Sequence, residues 1–189
     1  MSSVLSTLVP DRIPVVLAPM SGVTDAPFRR LARRYGASLT VTEMVASDRL
    51  VSGEDEAFER AACDEIGGVY AIQLAGCRPD WMGEAGRIAE AQGAALIDIN
   101  MGCPAKRVVG GYAGSALMRD LEVAESLIAA VTAAVSVPVS VKMRLGWDRA
   151  QLNAPELAAR AERLGVTFVS VHGRTRCDFY KGDADWSAI

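Results

Sequence analysis

The chain has 189 residues, of which 50% are hydrophobic and 23% are charged, and its formal net charge is -3 at pH 7. These values describe a globular chain with a sizeable core and exclude a disordered or fibrous protein. The charge gives no bulk attraction for nucleic acid, and no segment is long and apolar enough to span a bilayer. Because the first residues also lack a basic secretory leader, we expect a cytoplasmic location and no membrane association.

Six short β-rich segments alternate with helical patterns at intervals of about 30 residues, which is typical of parallel strands joined by crossover helices. The predicted strands are residues 15–20, 39–45, 69–76, 96–102, 139–145 and 168–174. The predicted helices run from Thr24 or Asp25 to Gly36, from Asp80 to Gly93, from Asp120 to the residue before Pro138, and from Pro155 to Gly165.

Polar residues occupy one face of several predicted strands, because successive side chains of a strand point to opposite faces. In the fifth strand, Ser140, Lys142 and Arg144 share a face opposite valines and a methionine. The same alternation places Gln73 on the polar face of the third strand, Asp98 and Asn100 on that of the fourth, and Ser170, His172 and Arg174 on that of the sixth. These residues lie toward the C-terminal ends of their strands.

This polar face decides the fold class. A doubly wound sheet is covered by helices on both sides, so its strands are apolar on both faces. In a (β/α)8 TIM barrel, the inward residues at the C-terminal strand ends line a site at the barrel mouth. We therefore predict a TIM barrel, truncated to about six strand-helix units where closure needs eight, with residues 1–189 forming its N-terminal part.

Residues 98–120 carry the clearest candidate for chemistry. Cys103 lies between Gly102 and Pro104 just after the fourth strand, so we expect its thiol at the site, where a protonated thiol can donate a proton. Gly110, Gly111 and Gly114 match neither nucleotide-binding glycine motif and are interpreted as a flexible turn before the helix at Asp120. The four cysteines have no metal-ligand spacing, so no metal is expected.

Four further residues fit a ligand at the mouth. The inward cations Lys142 and Arg144 imply an anionic or electron-rich ligand, although a solvated sheet edge is the alternative. His172, the only histidine, lies at a strand end, although a core histidine is the alternative. Gln73 offers a donor and an acceptor that suit the imide-like edge of a heterocycle.

The segments LAPMSGVTDAPFRRLARRYG, DINMGCPAKRVVGGYAGSALM, VKMRLGWD and VHGRTRCDFYKGDADW together resemble the tRNA-dihydrouridine synthases, in collinear order over nearly the whole chain. The resemblance implies an oxidoreductase acting on CH-CH bonds, with FMN as cofactor and NADPH as electron donor. It implies that specific uridines of tRNA are reduced to 5,6-dihydrouridine, with hydride passing from flavin N5 to uracil C6 and a proton to C5. Family members continue with further barrel strands and a helical tRNA-binding domain.

The resemblance also implies roles for individual residues. Cys103 is the proton donor. The FMN-binding residues are Pro19, Met20, Ser21, Gln73, Lys142 and His172. The residues that orient the flipped-out uracil are Asn100, Arg144 and Tyr180. The candidate phosphate contacts are Lys106, Arg107, Arg174, Arg176, Lys181 and the Arg29 to Arg34 cluster, although a solvated surface is the alternative for the helix arginines. Two alternatives remain open: a dihydroorotate-dehydrogenase-like barrel that acts on a free pyrimidine, and a non-catalytic fragment.

Overall fold

The computed structural model describes residues 13–62 and 69–189, so Cys63 lies outside the described residues. Six strands form one parallel sheet in sequential order. They are β1 Val16–Leu17, β2 Leu39–Ala46, β3 Tyr70–Ala75, β4 Leu96–Met101, β5 Val139–Arg144 and β6 Phe168–His172. The predicted strands are confirmed, with β1 shortened to two residues.

The helices lie between the strands, as a TIM-barrel order requires. They are α1 Ala26–Arg34, α2 Ser47–Val51, α3 Asp55–Ala61, α4 Pro79–Ala91, α5 Lys106–Gly110, α6 Leu121–Ala134 and α7 Ala154–Arg163, with a 3-10 helix at Gly114–Arg119. The arrangement is an open, truncated TIM-barrel-like fold, which confirms the predicted class.

The helix ends follow from their sequences. The Asp25 carboxylate accepts a hydrogen bond from the Phe28 amide, 2.9 Å away, and so caps α1. Asp120 caps α6 in the same way, accepting from the amides of Glu122 and Val123. At Ala134 α6 ends earlier than predicted, because an extended Val135 follows it.

The apolar faces of the strands pack against the helices and form the main core. Its largest fully buried members include Ile72, Leu74, Met82, Ile97, Ile99, Met101, Leu127 and Ile128. Helices α4 and α6 approach closely at Gly83, where an added Cβ would lie 3.1 Å from the Ala130 carbonyl oxygen.

A second apolar cluster has the same strand parity as the polar residues. Leu39, Val41, Ala71 and Leu96 are buried together, with Phe168 packed against them. They come from the N-terminal halves of four strands, so they fill the lower interior of the partial barrel. The polar residues lie above this layer, at the carboxyl ends of the strands.

Candidate active site

A cavity of about 480 Å³ opens at the carboxyl ends of the strands. Its volume falls within the usual range for small-molecule sites. Most of the residues predicted from sequence line it, namely Pro19, Met20, Ser21, Gln73, Asn100, Cys103, Lys142, Arg144, His172 and Tyr180. The structure therefore brings these side chains together, while their individual roles stay predictions.

Strand register explains this convergence. Gln73 is paired with Asp98 between β3 and β4, and Asp98 is paired with Ser140 between β4 and β5. One step further along the same face, Asn100 is paired with Lys142. Neighbouring side chains of equal parity point to the same side of a sheet, so these residues form contiguous rows that face the interior.

A chain of hydrogen bonds crosses three strands below the cavity. The hydroxyl of Ser140 donates to Asp98 Oδ1 at 2.5 Å, and the amide nitrogen of Gln73 donates to Asp98 Oδ2 at 2.6 Å. The amide nitrogen of Asn100 then donates to Gln73 Oε1 at 2.8 Å. All four residues are buried, and we call them the anchored side of the site.

Asn100 carries this chain into the segment that contains the cysteine. Its Oδ1 accepts from the backbone amides of Gly102 and Cys103, at 3.2 and 2.9 Å. The carbonyl oxygen of Cys103 accepts from both the amide and the hydroxyl of Ser115, at 3.0 and 2.8 Å. The turn that presents Cys103 to the cavity is thus held from two directions.

The interpretation of residues 110–114 as a turn holds for Gly111 and Tyr112, but helical residues flank them on both sides. Gly110 ends α5, and Gly114 starts the 3-10 helix with φ of 61°. A Cβ at Gly114 would lie 2.8 Å from the Cys103 carbonyl oxygen. Gly114 therefore allows the 3-10 helix to pack directly on the cysteine turn, which gives the glycine a structural role at the site.

Arg144 connects the cysteine turn to the segment after β6. Its Nε donates to the Gly102 carbonyl oxygen at 2.9 Å, and its Nη1 donates to the carbonyl oxygens of Thr175 and Phe179, at 2.8 and 2.7 Å. The guanidinium also lies 5.3 Å from the centre of the Tyr180 ring. Arg144 thus donates three hydrogen bonds to backbone carbonyl oxygens, in addition to any role toward a ligand.

The other side of the cavity contains polar atoms without partners. Among the described residues, Lys142 makes no hydrogen bond or ion pair, and the buried Nδ1 of His172 has no hydrogen-bond partner. We call Lys142 and His172 the open side. Their unused donors and acceptors face the same cavity as Cys103.

Burial shifts the protonation of this site. It raises the pKa of Asp98 to about 6, against the opposing effects of the Ser140 and Gln73 hydrogen bonds and the Lys142 charge. Burial lowers the pKa of Lys142, and the charge of Arg144 adds to this effect. Burial and three nearby cations lower the pKa of His172 to about 4, so its imidazole is neutral at pH 7.

Three predicted substrate contacts lie outside the cavity. Lys106 and Arg107 are exposed on α5, and Arg107 lines a neighbouring cavity with Arg49 and Trp81. Arg174 follows β6 and donates to the Gly182 carbonyl oxygen at 2.5 Å. Their proposed contacts with RNA stay predictions.

Two arginines of α1 are structural, which corrects the expectation of phosphate contacts along the Arg29 to Arg34 cluster. Arg29 is only 2% exposed and donates to the carbonyl oxygens of Thr24 and Ala62. Arg33 donates to the Thr40 hydroxyl. The buried Arg29 is therefore unavailable to an external phosphate, and Arg33 directs its Nε and Nη2 to groups of the chain itself.

One residue of the site and one set of contacts outside it could not be identified from the sequence. Met44 lines the cavity because the pairing of β2 with β3 shifts register between Val41 and Met44. Outside the cavity lining, the guanidinium groups of Arg119 and of Arg176, a predicted phosphate contact, lie 4.9 and 4.8 Å from the centre of the Trp147 ring. The three residues follow β4, β5 and β6 in turn, and no local motif joins them.

A parallel half-barrel with a polar cavity at the carboxyl ends of its strands defines a TIM-barrel-like protein. The solved structure of phosphonopyruvate hydrolase in complex with oxalate and magnesium matches 96% of this chain and 68% of its own, with a TM-score of 0.60. At 15% identity, this likeness shows the fold alone. The family model for dihydrouridine synthase (Dus) matches residues 16–189, and the chain belongs to that family, as the sequence resemblance predicted.

Curated relatives agree with the family assignment. A probable tRNA-dihydrouridine synthase of Rhizobium leguminosarum bv. phaseoli is 58% identical over 93% of this chain and 55% of its own length. The corresponding protein of Rhodobacter capsulatus is 53% identical, over the same shares of the two chains. The tRNA-dihydrouridine synthase B of Xanthomonas axonopodis pv. citri is 46% identical over 93% of this chain and 53% of its own.

The chain spans about half the length of the curated relatives it matches. Within residues 13–62 and 69–189, no helix is both long enough and apolar enough to cross a membrane.

Proposed function

We propose that the complete protein is a tRNA-dihydrouridine synthase that uses FMN and NADPH to reduce the C5-C6 double bond of specific uridines in tRNA. The family match and the names of the relatives support tRNA as the substrate. Cys103 on a fixed turn at the cavity carries the proposal for this chain, because it puts a proton donor beside an open ligand site. A tRNA substrate also supports a cytoplasmic location.

The residues of the cavity fit FMN. The flavin ring has an imide edge and acquires negative charge on reduction, so it needs hydrogen-bonding groups and a cation. The unpartnered Nδ1 of His172 and the unbonded ammonium of Lys142 supply such groups on the open side. Since His172 is neutral at pH 7, the expected positive charge toward the ring rests on Lys142. When bound, FMN supplies the hydride transfer that no side chain here can perform.

The hydrogen-bond inventory limits what the anchored side can offer a ligand. Gln73 Nε2 already donates to Asp98, so one N-H remains, together with a lone pair on Oε1. Asn100 Oδ1 already accepts two backbone amides, so its remaining N-H is the group that can orient a uracil carbonyl. Both contacts fit the roles proposed for these residues, and each relies on a single side-chain amide group.

The pyrimidine has to leave the RNA stack to reach a cavity at the strand ends. We place the flipped uracil between Asn100 and the Tyr180 ring, with Arg144 holding the Tyr180 segment near the cysteine turn. Cys103 then donates its proton to uracil C5, and the resulting thiolate regains a proton from solvent. Lys106, Arg107 and Arg174 are proposed to contact phosphates outside the cavity.

The test uses the complete protein and tRNA from cells that lack the gene. We expect visible flavin absorbance at one FMN per chain and NADPH-dependent dihydrouridine, located position by position by mass spectrometry. Reduction of free orotate without action on tRNA would favour a dihydroorotate-dehydrogenase-like enzyme. Protein that binds no flavin would favour the non-catalytic alternative.

A further inference from the structure

Asp98 is a buried carboxylate that does not itself line the cavity. It is 4% exposed, lies one strand step below Asn100 and is absent from the cavity lining. Its two oxygens accept from different strands, Oδ1 from Ser140 on β5 and Oδ2 from Gln73 on β3. A group in this position acts on a ligand only through the residues that it holds.

An ionised carboxylate gives the hydrogen-bond chain a direction, because it can only accept. The carboxylate of Asp98 holds the NH2 group of Gln73 toward itself, and the Oε1 of Gln73 therefore points toward Asn100. The NH2 group of Asn100 then has to face Gln73, which leaves Asn100 Oδ1 for the amides of Gly102 and Cys103. If Gln73 turned over, Asn100 would present a donor to two backbone donors, and the cysteine turn would lose its acceptor.

We propose that the ionised carboxylate of Asp98 is a positioning residue that orients the side-chain amides of Gln73 and Asn100 and thereby fixes the turn that presents Cys103. The orientation itself rests on geometry alone. Its consequence for uridine reduction rests on the proposed function. Asp98 touches neither the ligand site nor the reacting thiol, so it is not a catalytic residue.

The surroundings of Asp98 make this orientation sensitive to pH. Strand β5 brings Lys142, the charged group that acts on the carboxylate, together with the uncharged Ser140, and β3 brings the uncharged Gln73. Burial raises the pKa of Asp98 to about 6, so protonation is accessible near neutral pH. A protonated Asp98 can donate, and the constraint on Gln73 is then lost.

The first test follows the side-chain amide resonances of Gln73 and Asn100 by NMR in flavin-free protein between pH 5 and 8. We expect both to shift together with one midpoint near pH 6, and we expect Asp98→Asn to abolish that midpoint. The isosteric variant keeps the shape of the side chain, and the wild-type titration stands even if the variant fails to fold. Resonances that titrate equally in Asp98→Asn, or that keep their wild-type positions in that variant at every pH, would overturn the proposal.

The second test measures alkylation of Cys103 by iodoacetamide in flavin-free protein, with the other three cysteines of this chain, Cys63, Cys77 and Cys177, replaced by alanine. We expect Asp98→Asn to change the rate constant at least threefold. Arg160→Met, which removes the ion pairs of Arg160 with Glu122, Glu125 and Glu156 on the outer helices, should change it less than twofold. Equal effects of the two variants would indicate general loosening and contradict the positioning role.

The two proposals can fail separately. If the complete protein does not act on tRNA while the amide titration and the alkylation contrast are observed, the positioning role of Asp98 stands and the proposed function falls. If tRNA is reduced while Gln73 and Asn100 do not respond to Asp98, the proposed function stands and the positioning role falls.

Discussion

The two sides of the cavity use their polar groups differently. On the anchored side, Asp98, Gln73 and Asn100 are hydrogen-bonded to one another and to the backbone of the cysteine turn. On the open side, Lys142 and the Nδ1 of His172 have no hydrogen-bond partner within the described residues. Buried polar groups are normally hydrogen-bonded, so the satisfied groups of the anchored side favour a fixed geometry, and the unpartnered Nδ1 of His172 favours ligand binding on the open side.

This difference predicts separate consequences of mutation. Changes on the anchored side should alter how reacting groups are aligned, and changes on the open side should alter how much ligand is bound. Arg144 contacts the cysteine turn and the segment after β6, so its loss should affect the stability of both.

The largest effect is expected for Cys103→Ala in the complete protein. Removing the proton donor should lower dihydrouridine formation by about 10²-fold or more, because general acid catalysis contributes on that scale. FMN content and NADPH oxidation should remain, since the cofactor contacts lie elsewhere. Dihydrouridine is measured by mass spectrometry of tRNA.

Cys77→Ala is the matched control for this substitution. Cys77 is partly exposed like Cys103, but it lines the neighbouring cavity rather than the site. We expect it to retain full activity. Undiminished dihydrouridine formation by Cys103→Ala would remove the thiol from the role of proton donor.

The next largest effect is expected for Lys142→Met, which keeps the aliphatic length and removes the charge. One hydrogen bond to a charged group is worth about 1.5–3 kcal/mol, so FMN affinity should fall about tenfold or more. Titration of the apoprotein with FMN, followed by flavin fluorescence, measures the change.

Lys181→Met is the comparison for Lys142, because Lys181 is an exposed lysine on the segment after β6. Its FMN affinity should remain within about twofold of the wild type, corresponding to less than about 0.5 kcal/mol. If both variants bound FMN as the wild type does, Lys142 would have no role toward the cofactor.

Arg144→Lys should lower stability. Lysine cannot reproduce three hydrogen bonds made from two nitrogens of one planar group, so buried carbonyl oxygens lose their donors. We expect the free energy of unfolding to fall by about 2 kcal/mol. Urea denaturation measures it, with Arg149→Lys as control.

Arg149 is 75% exposed and makes one contact of 3.3 Å with Asp178. An exposed ion pair of that kind contributes little, so Arg149→Lys should change the free energy of unfolding by less than about 0.5 kcal/mol. Equal losses in the two variants would show that Arg144 does not link the two segments.

The sequence predicted which side of the sheet holds the site, because the two-residue period of a strand is a local property. Gln73, Asn100, Lys142 and His172 all lie where that period places them. Met44 was not predicted, since the register shift between β2 and β3 depends on pairing rather than on either strand alone. The hydrogen bonds of Asp98 were missed for the same reason, because its partners Gln73 and Ser140 lie on other strands.

Short elements and buried arginines were also beyond sequence reasoning. Helices α2 and α5 have five residues each, too few for a helical period to be recognised. Arg29 lies off the apolar stripe of α1, and its burial depends on the carbonyl oxygens of Thr24 and Ala62 around it. Tertiary contacts of this kind leave no local pattern.

The smallest expected effect concerns the pH dependence of stability on the open side. The pKa of His172 is lowered to about 4, so between pH 4 and 6.5 the unfolded chain binds more protons than the folded chain at this residue. His172 therefore makes stability rise with pH across that window. Asp98 acts in the opposite direction, since its raised pKa of about 6 makes its contribution to stability fall as pH rises.

His172→Gln should reduce the loss of stability between pH 7 and pH 5 by about 1 kcal/mol, since water screens part of the charge on the half-buried ring. Urea denaturation of the wild type and of His172→Gln at pH 7 and pH 5 measures this change. The contribution of Asp98 is common to both proteins, so it cancels in the comparison. An unchanged pH dependence in His172→Gln would mean that the imidazole is as free to take up a proton in the folded site as in the unfolded chain, and the contrast between the two sides would lose its electrostatic basis.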